Sequence, residues 1–185
     1  CGTFHFLRLV QDQDRPVGAD HINRAARLEV VQHLVDTAVV GTTGGKGLHA
    51  GGVRGHPSLL EGGAGAAAFG SGLASVTAIF QGLQPGDHVL APADIYHGTA
   101  NVLKHLFAKW QISASFVDMT RLDVVRAAMQ PNTRIVWIET PSNPLMQCVD
   151  IAAVVEIAHA GGARAIADNT FASPVLQRPL DLGCD

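Results

Sequence analysis

The sequence predicts an α/β fold in which a mostly parallel sheet is flanked by helices. From residue 61 onwards, short apolar runs alternate with segments of helical periodicity. The apolar runs are nearly continuous, which is typical of strands buried on both faces. Strands that alternate with helices of about ten or more residues form right-handed βαβ units, so a parallel sheet is expected.

Composition narrows the class of protein. Hydrophobic residues make up 47% of the 185 residues and charged residues 16%, which is typical of a globular chain with a core. The net charge of −3 leaves no basic patch, which argues against nucleic-acid binding. Three cysteines without a C-x-x-C pair fit a reduced, cytoplasmic protein. No apolar run reaches the roughly 18 residues of a membrane span, and no histidine pair has metal-ligand spacing.

Residues 1–58 form an irregular N-terminal segment, whereas residues 59–185 carry the regular pattern. Within the first segment, residues 20–35 have helical spacing, and Asp20 is a candidate N-cap. The glycine-rich residues 41–55 are predicted to be a loop. The chain opens on Cys1 rather than Met and stops within the pattern, so we expect a fragment.

The elements of the regular region follow in order. The first six are a strand at 64–69, a helix at 71–83, a strand at 88–91, a helix at 98–110, a strand at 112–117 and a helix at 122–129. A strand at 134–138, a turn at 141–144, a helix at 151–160 and a strand at 163–167 complete the chain. Turn signals separate these segments, for example two glycines after the last helix.

Polar residues stand where several predicted strands end. They are Gly70-Ser71-Gly72, Tyr96, Glu139 with Asn143, and Asp168. Parallel strands deliver their carboxyl ends to one side of the sheet, where ligands bind in open α/β folds. We therefore expect these residues to converge.

Each of these residues has a functional and a purely structural interpretation. Gly70-Ser71-Gly72 leads into a helix whose first N–H groups could bind a phosphate, although a tight turn would also need glycine. Tyr96, the single tyrosine, could stack on a flat ring or pack in the core. A carboxylate at the end of a buried strand requires a positive or hydrogen-bonding partner, so Asp168 could meet a cationic ring nitrogen, cap a helix or close a turn.

Four motifs in this order resemble one family. They are Gly70-Ser-Gly72-Leu73, Asp94-Ile-Tyr96-His-Gly-Thr99, Glu139-Thr-Pro-Ser-Asn143-Pro144 and Asp168-Asn-Thr-Phe171. From about residue 60 onwards the chain is similar to the pyridoxal-phosphate (PLP) enzymes of cysteine and methionine metabolism, such as cystathionine γ-synthase, the cystathionine lyases and the homoserine sulfhydrylases. The resemblance implies a fold-type-I PLP domain and carbon–sulfur bond chemistry.

The resemblance also implies roles for individual residues. The N–H groups of Gly72 and Leu73 would hold the cofactor phosphate, and Tyr96 would stack on the pyridine ring and assist proton or leaving-group chemistry. Asp168 would pair with the ring nitrogen and keep it protonated. Asn143 would lie near the ring and the substrate carboxylate, and Glu139 would support this side of the site.

The chain departs from the family pattern in several ways. The family's Schiff-base lysine follows its Asp-Asn-Thr-Phe segment, whereas the lysines of this chain are Lys46, Lys104 and Lys109. We also expect this sequence to lack the family's C-terminal domain. The chain alone is therefore expected to be inactive, and residues 1–58 match the family poorly. The resemblance further implies an amino-acid substrate and a homo-oligomer, a dimer of dimers in the intact protein.

Two other functions stay open at this point. A nicotinamide-dependent oxidoreductase would use Gly70 and Gly72 for the pyrophosphate and Asp94 for the ribose. The second is a non-catalytic remnant that folds only within a larger assembly.

Overall fold

The structure is a computed structural model that describes residues 39–42, 61–63 and 65–185. The predicted helix at residues 20–35 and most of the glycine-rich segment lie outside these residues. Within the described part of the chain, every helix is too short or too polar to cross a membrane.

Six strands and five α-helices make up the described fold. The strands are β1 (Val39–Thr42), β2 (Gly65–Ala68), β3 (His88–Pro92), β4 (Ser113–Val117), β5 (Thr133–Glu139) and β6 (Arg164–Asp168). The α-helices are α1 (Gly72–Phe80), α2 (His97–Asn101), α3 (Leu122–Ala128), α4 (Ile151–Ala160) and α5 (Ser173–Leu176).

A four-stranded parallel sheet organises the chain from residue 88 onwards. Its order is β4-β3-β5-β6, and every pair of neighbours is parallel. The predicted α/β class with a parallel sheet and flanking helices is therefore confirmed. Because all four strands run in the same direction, their carboxyl ends lie on one side of the sheet.

The strand predicted at residues 64–69 belongs to a different sheet. β2 pairs antiparallel with β1, and these two strands form a separate two-stranded sheet. Gly41 and Thr42, which the sequence assigns to a loop, lie in β1. The expectation of a loop was therefore wrong at these two residues. An apolar run such as β2 indicates a strand but carries no information about its distant partner, so the pairing with β1 could not be foreseen.

The central strands bury both faces, as their apolar runs predict. Along β5, Val136 and Ile138 pack into one cluster with α3 and α4, whereas Ile135 and Trp137 pack into a second cluster with α1. Successive side chains of a strand point to opposite faces, so one strand contributes to both clusters. The sheet is thus covered by helices on both faces, and β5 is buried between them.

The helix predicted at residues 98–110 is interrupted. α2 spans only five residues and is followed by a π-helical turn (Val102–Leu106) and a 3-10 turn (Phe107–Trp110). Two side chains of this segment, Leu103 and Phe107, are buried in the second cluster. The expectation of a single α-helix was therefore wrong. The spacing of apolar residues indicates which side chains face the core, but it does not determine which carbonyl accepts the hydrogen bond from each N–H.

α4 and its boundaries agree with the prediction. Asp150 is its N-cap, and the carboxylate accepts a hydrogen bond from the N–H of Ala153 at 3.1 Å. Gly162 follows with a φ of 74°, a conformation that favours glycine. Local signals at both ends are sufficient here because cap and stop residues act within a few positions.

Candidate active site

A cavity of about 380 Å³ lies at the carboxyl ends of the central strands. This volume falls within the range of small-molecule sites. Its lining consists of Ser71, Gly72, Leu73, Val76, Tyr96, Thr99, Glu139, Pro141, Asn143, Asp168, Thr170 and Phe171. The five residues that the sequence nominates for the cofactor site (Gly72, Leu73, Tyr96, Asn143 and Asp168) therefore line one cavity.

The N-terminus of α1 forms one part of the lining. Ser71 is the N-cap, and its hydroxyl accepts a hydrogen bond from the N–H of Ala74 at 3.2 Å. The first N–H groups of a helix have no intrahelical acceptor, so those of Gly72 and Leu73 are suited to an anion. A Cβ built on Gly72 would meet no atom within 4 Å, which leaves room for a ligand close to the backbone.

Tyr96 stands at the N-cap position of α2 and is 44% exposed, so it is not a core aromatic. Its ring lies close to Gly98: a Cβ on Gly98 would come within 2.5 Å of Tyr96 Cε1 and 3.0 Å of Leu73 Cδ2. Gly98 therefore lets both side chains occupy their places beside the cavity. Sequence analysis missed this role, because a contact between Gly98 and Leu73 joins separate elements.

Asp168 ends β6 and lies beside Glu139 in the register of the sheet. Its Oδ1 accepts hydrogen bonds from the N–H of Thr170 at 3.1 Å and from the Thr170 hydroxyl at 2.6 Å. Oδ1 of Asp168 therefore closes a turn, which is one of the structural roles that the sequence allows. Among the described residues, none donates to Oδ2, so the carboxylate retains an acceptor for a ligand in the cavity.

Glu139 ends β5 and is only 4% exposed. Its carboxylate accepts hydrogen bonds from the N–H of Tyr96, at 3.0 Å to Oε1 and 2.9 Å to Oε2, and from the N–H of Asn143 at 2.9 Å. Burial raises the pKa of Glu139 to about 7, against the opposing effect of the N–H of Tyr96; the negative charge of Asp168 adds to the rise. The structure thus makes Glu139 a bridge between two sides of the cavity.

Asp94, which the oxidoreductase alternative needs for a ribose, is engaged elsewhere. Its Oδ2 accepts a hydrogen bond from the hydroxyl of Ser142. Asp94 is also absent from the residues that line the described cavity. Neither the structure nor the relatives described below support a nicotinamide site.

The lysines of the described chain lie away from the cavity lining. Lys104 is exposed, with its Nζ 4.5 Å from the centroid of the Phe116 ring, and Lys109 is exposed on the following turn. Lys46 lies outside the described residues. The lining as described therefore offers backbone N–H groups, an aromatic ring and carboxylates, but no lysine amine.

A helix N-terminus, an exposed tyrosine and a strand-end carboxylate surround one cavity of this α/β protein. The family model for "Cys/Met metabolism PLP-dependent enzyme" matches residues 54–185. The chain belongs to this family, and the resemblance noted in the sequence is confirmed.

Relatives of known activity and solved structures agree with this assignment. The chain is 45% identical over 129 residues to a cystathionine gamma-synthase of Mycobacterium tuberculosis and 45% identical over 128 residues to the cystathionine beta-lyase MetC of Bacillus subtilis. Each match covers 69% of this chain and 33% of the relative. The chain therefore spans about a third of the length of these relatives.

Two solved structures share the fold. One is metB from Corynebacterium glutamicum, and the other is a cystathionine gamma-lyase from Lactobacillus plantarum complexed with L-serine. Both have a TM-score of 0.68 and 34% identity to this chain. The matches cover 78% and 79% of this chain and 41% and 42% of the solved chains, respectively.

Proposed function

We propose that this chain supplies the PLP-binding cavity of an enzyme that makes or breaks carbon–sulfur bonds in transsulfuration. The observation that carries the proposal is the convergence of the α1 N-terminus, Tyr96 and Asp168 around one cavity. The residues fit the cofactor, because PLP presents a phosphate, a flat ring and a ring nitrogen that accepts a proton. When bound, PLP supplies an electron sink for reactions at the carbons of an amino acid.

Each contributing residue has a defined task in this proposal. The N–H groups of Gly72 and Leu73 bind the phosphate, with the dipole of α1 behind them. Tyr96 stacks on the ring and keeps its hydroxyl available for proton transfer. Asp168 would pair with the ring nitrogen and keep it protonated, and Asn143 would lie near the ring and the substrate carboxylate.

The substrate is an amino acid of the homoserine-ester, cystathionine, cysteine or methionine type. The names of the relatives, cystathionine gamma-synthase, beta-lyase and gamma-lyase, support cystathionine chemistry, and the wider range is implied by the family resemblance. By the same resemblance we propose that the intact protein is a homo-oligomer, a dimer of dimers, and from the three cysteines without a C-x-x-C pair we propose that it is cytoplasmic. The described cavity contains no lysine, so this chain is expected to bind PLP reversibly and to lack turnover by itself.

Thermal unfolding of the purified chain with added PLP, pyridoxal or NAD tests the proposal. A ligand that binds only the folded state raises Tm in proportion to RT ln(1 + [L]/Kd). PLP is expected to raise Tm, pyridoxal to raise it less because it lacks the phosphate, and NAD to leave it unchanged. Stabilisation by NAD without stabilisation by PLP, or no response to any of the three, would overturn the proposal.

A further inference from the structure

Two carboxylates connect the segment after β3 to the turn after β5. Glu139 accepts hydrogen bonds from the backbone N–H groups of Tyr96 and Asn143. Asp94 accepts one from Ser142, whose own hydroxyl accepts from the N–H of Gln147 at 3.1 Å. Both segments are loops between elements, so these contacts rather than a regular ladder determine how the loops sit against each other.

The carboxylate of Glu139 connects Tyr96 in the segment after β3 with Asn143 in the turn after β5. Tyr96 and Asn143 both line it, although they are separated by 47 positions in the sequence. Hydrogen bonds to an ionised carboxylate are roughly twice as strong as neutral ones. Glu139 is buried at the end of the central strand β5, so its carboxylate is a fixed point for both loops.

We propose that Glu139 is a positioning residue that holds the backbones of Tyr96 and Asn143 at the separation required by a flat ring between them. The inference deepens the proposed function and rests on it for the identity of the ring. Both carboxylate oxygens of Glu139 accept hydrogen bonds from the N–H groups of these two residues, so the proposed role is exerted through Tyr96 and Asn143.

The electrostatic surroundings make this contact sensitive to pH. The charged groups that face Glu139 are Asp168 on β6 and Asp94 in the loop after β3, and both raise its pKa. A protonated carboxyl group accepts hydrogen bonds more weakly than a carboxylate. The two N–H contacts are therefore expected to weaken together as the pH falls through about 7.

The test compares Glu139→Gln with Glu156→Gln in the full chain. Glu156 is exposed on α4, so its substitution makes the same chemical change away from the cavity. Amide hydrogen exchange of Tyr96 and Asn143 is measured by NMR without added ligand, and PLP affinity is measured by titration. Above pH 7, where Glu139 is ionised, Glu139→Gln is expected to speed exchange at both amides about tenfold and to weaken PLP binding by a similar factor, because it removes the charge from both hydrogen bonds.

The two measurements separate the two claims. Unchanged exchange at Tyr96 and Asn143 in a folded Glu139→Gln variant would overturn the positioning role, whatever happens to PLP. Faster exchange in a chain whose wild-type form does not bind PLP would instead support the positioning role and contradict the proposed function.

A measurement on the wild-type chain covers the case in which Glu139→Gln fails to fold. The backbone amide resonances of Tyr96 and Asn143 are followed as the pH is varied. A shared titration midpoint near 7 is expected, because both N–H groups meet the same carboxyl group. Different midpoints, or no titration at either amide, would refute the inference.

Discussion

Asp168 and Asp118 close the same kind of turn at the ends of two strands. In each case one carboxylate oxygen accepts hydrogen bonds from the N–H and the hydroxyl of the threonine two positions later, at 3.1 and 2.6 Å for Asp168 and at 3.0 and 2.6 Å for Asp118. Only Asp168 lines the described cavity. The local turn is therefore common to both, and any additional role of Asp168 lies in what its second oxygen meets.

Variants of Asp168 and Asp118 distinguish a role in cofactor binding from a role in the turn. Asp168→Asn is expected to weaken PLP binding by about tenfold or more, because the asparagine retains the turn but loses the charge that pairs with a protonated ring nitrogen. Asp118→Asn, the matched control, is expected to leave PLP affinity unchanged. The measurement is a spectrophotometric PLP titration of both variants; equal losses of affinity in the two would show that the effect comes from the turn.

The placement of Asp168 and Tyr96 at one cavity could be predicted, because the positions at which strands end can be recognised in the sequence. Asp168 and Tyr96 each follow an apolar run, and parallel strands bring such positions together in any strand order. The hydrogen bonds from Tyr96 and Asn143 to Glu139 could not be foreseen in detail, because they depend on how two loops pack. The role of Gly98 could not be foreseen either, because a Cβ at this position would collide with the side chains of Leu73 and Tyr96 only in the folded chain.

At the scale of single elements, α1 contributes through its first turn. Gly72 is the first helical residue, and Ser71 before it is extended, with φ −164° and ψ 160°. An extended residue is compatible with a following proline, and the first helical position tolerates proline because its N–H has no helical acceptor. The N–H of Gly72 can therefore be removed while the helix is retained.

Gly72→Pro and Gly72→Ala form a second matched pair. Gly72→Pro is expected to weaken PLP binding by about tenfold through the loss of one charge-assisted hydrogen bond to the phosphate. Gly72→Ala keeps the N–H, and its Cβ meets no atom within 4 Å, so its affinity is expected to stay close to that of the wild type. Circular dichroism verifies the helix in both. Full PLP affinity in Gly72→Pro would exclude this N–H from the phosphate site.

Elements with local start and stop signals were predicted best. α4 agrees at both ends because Asp150 and the following glycines act on neighbouring residues. The segment after Tyr96 was predicted less well, since a helix that changes its hydrogen-bond pattern keeps a similar apolar spacing. β2 was recognised as a strand, but its antiparallel pairing with β1 depends on a contact between distant parts of the chain.

At the scale of the whole molecule, the sheet makes the cavity. β3, β5 and β6 are adjacent and parallel, so the residues after them share one side although they lie far apart in sequence. Helices cover both faces of this sheet, and the buried central strand β5 places Glu139 between the other two strand ends. The strand order itself was not predictable, because parallel strand order is determined by long-range packing.

The central claim, that this cavity binds PLP, is tested most directly by mapping amide chemical-shift changes in the full chain as PLP is added. We predict saturable changes concentrated at Gly72, Leu73, Tyr96, Asn143 and Asp168, which line the cavity together. Inorganic phosphate is expected to shift only the amides at the start of α1. Saturable changes elsewhere in the chain, or none at these five residues, would contradict the account.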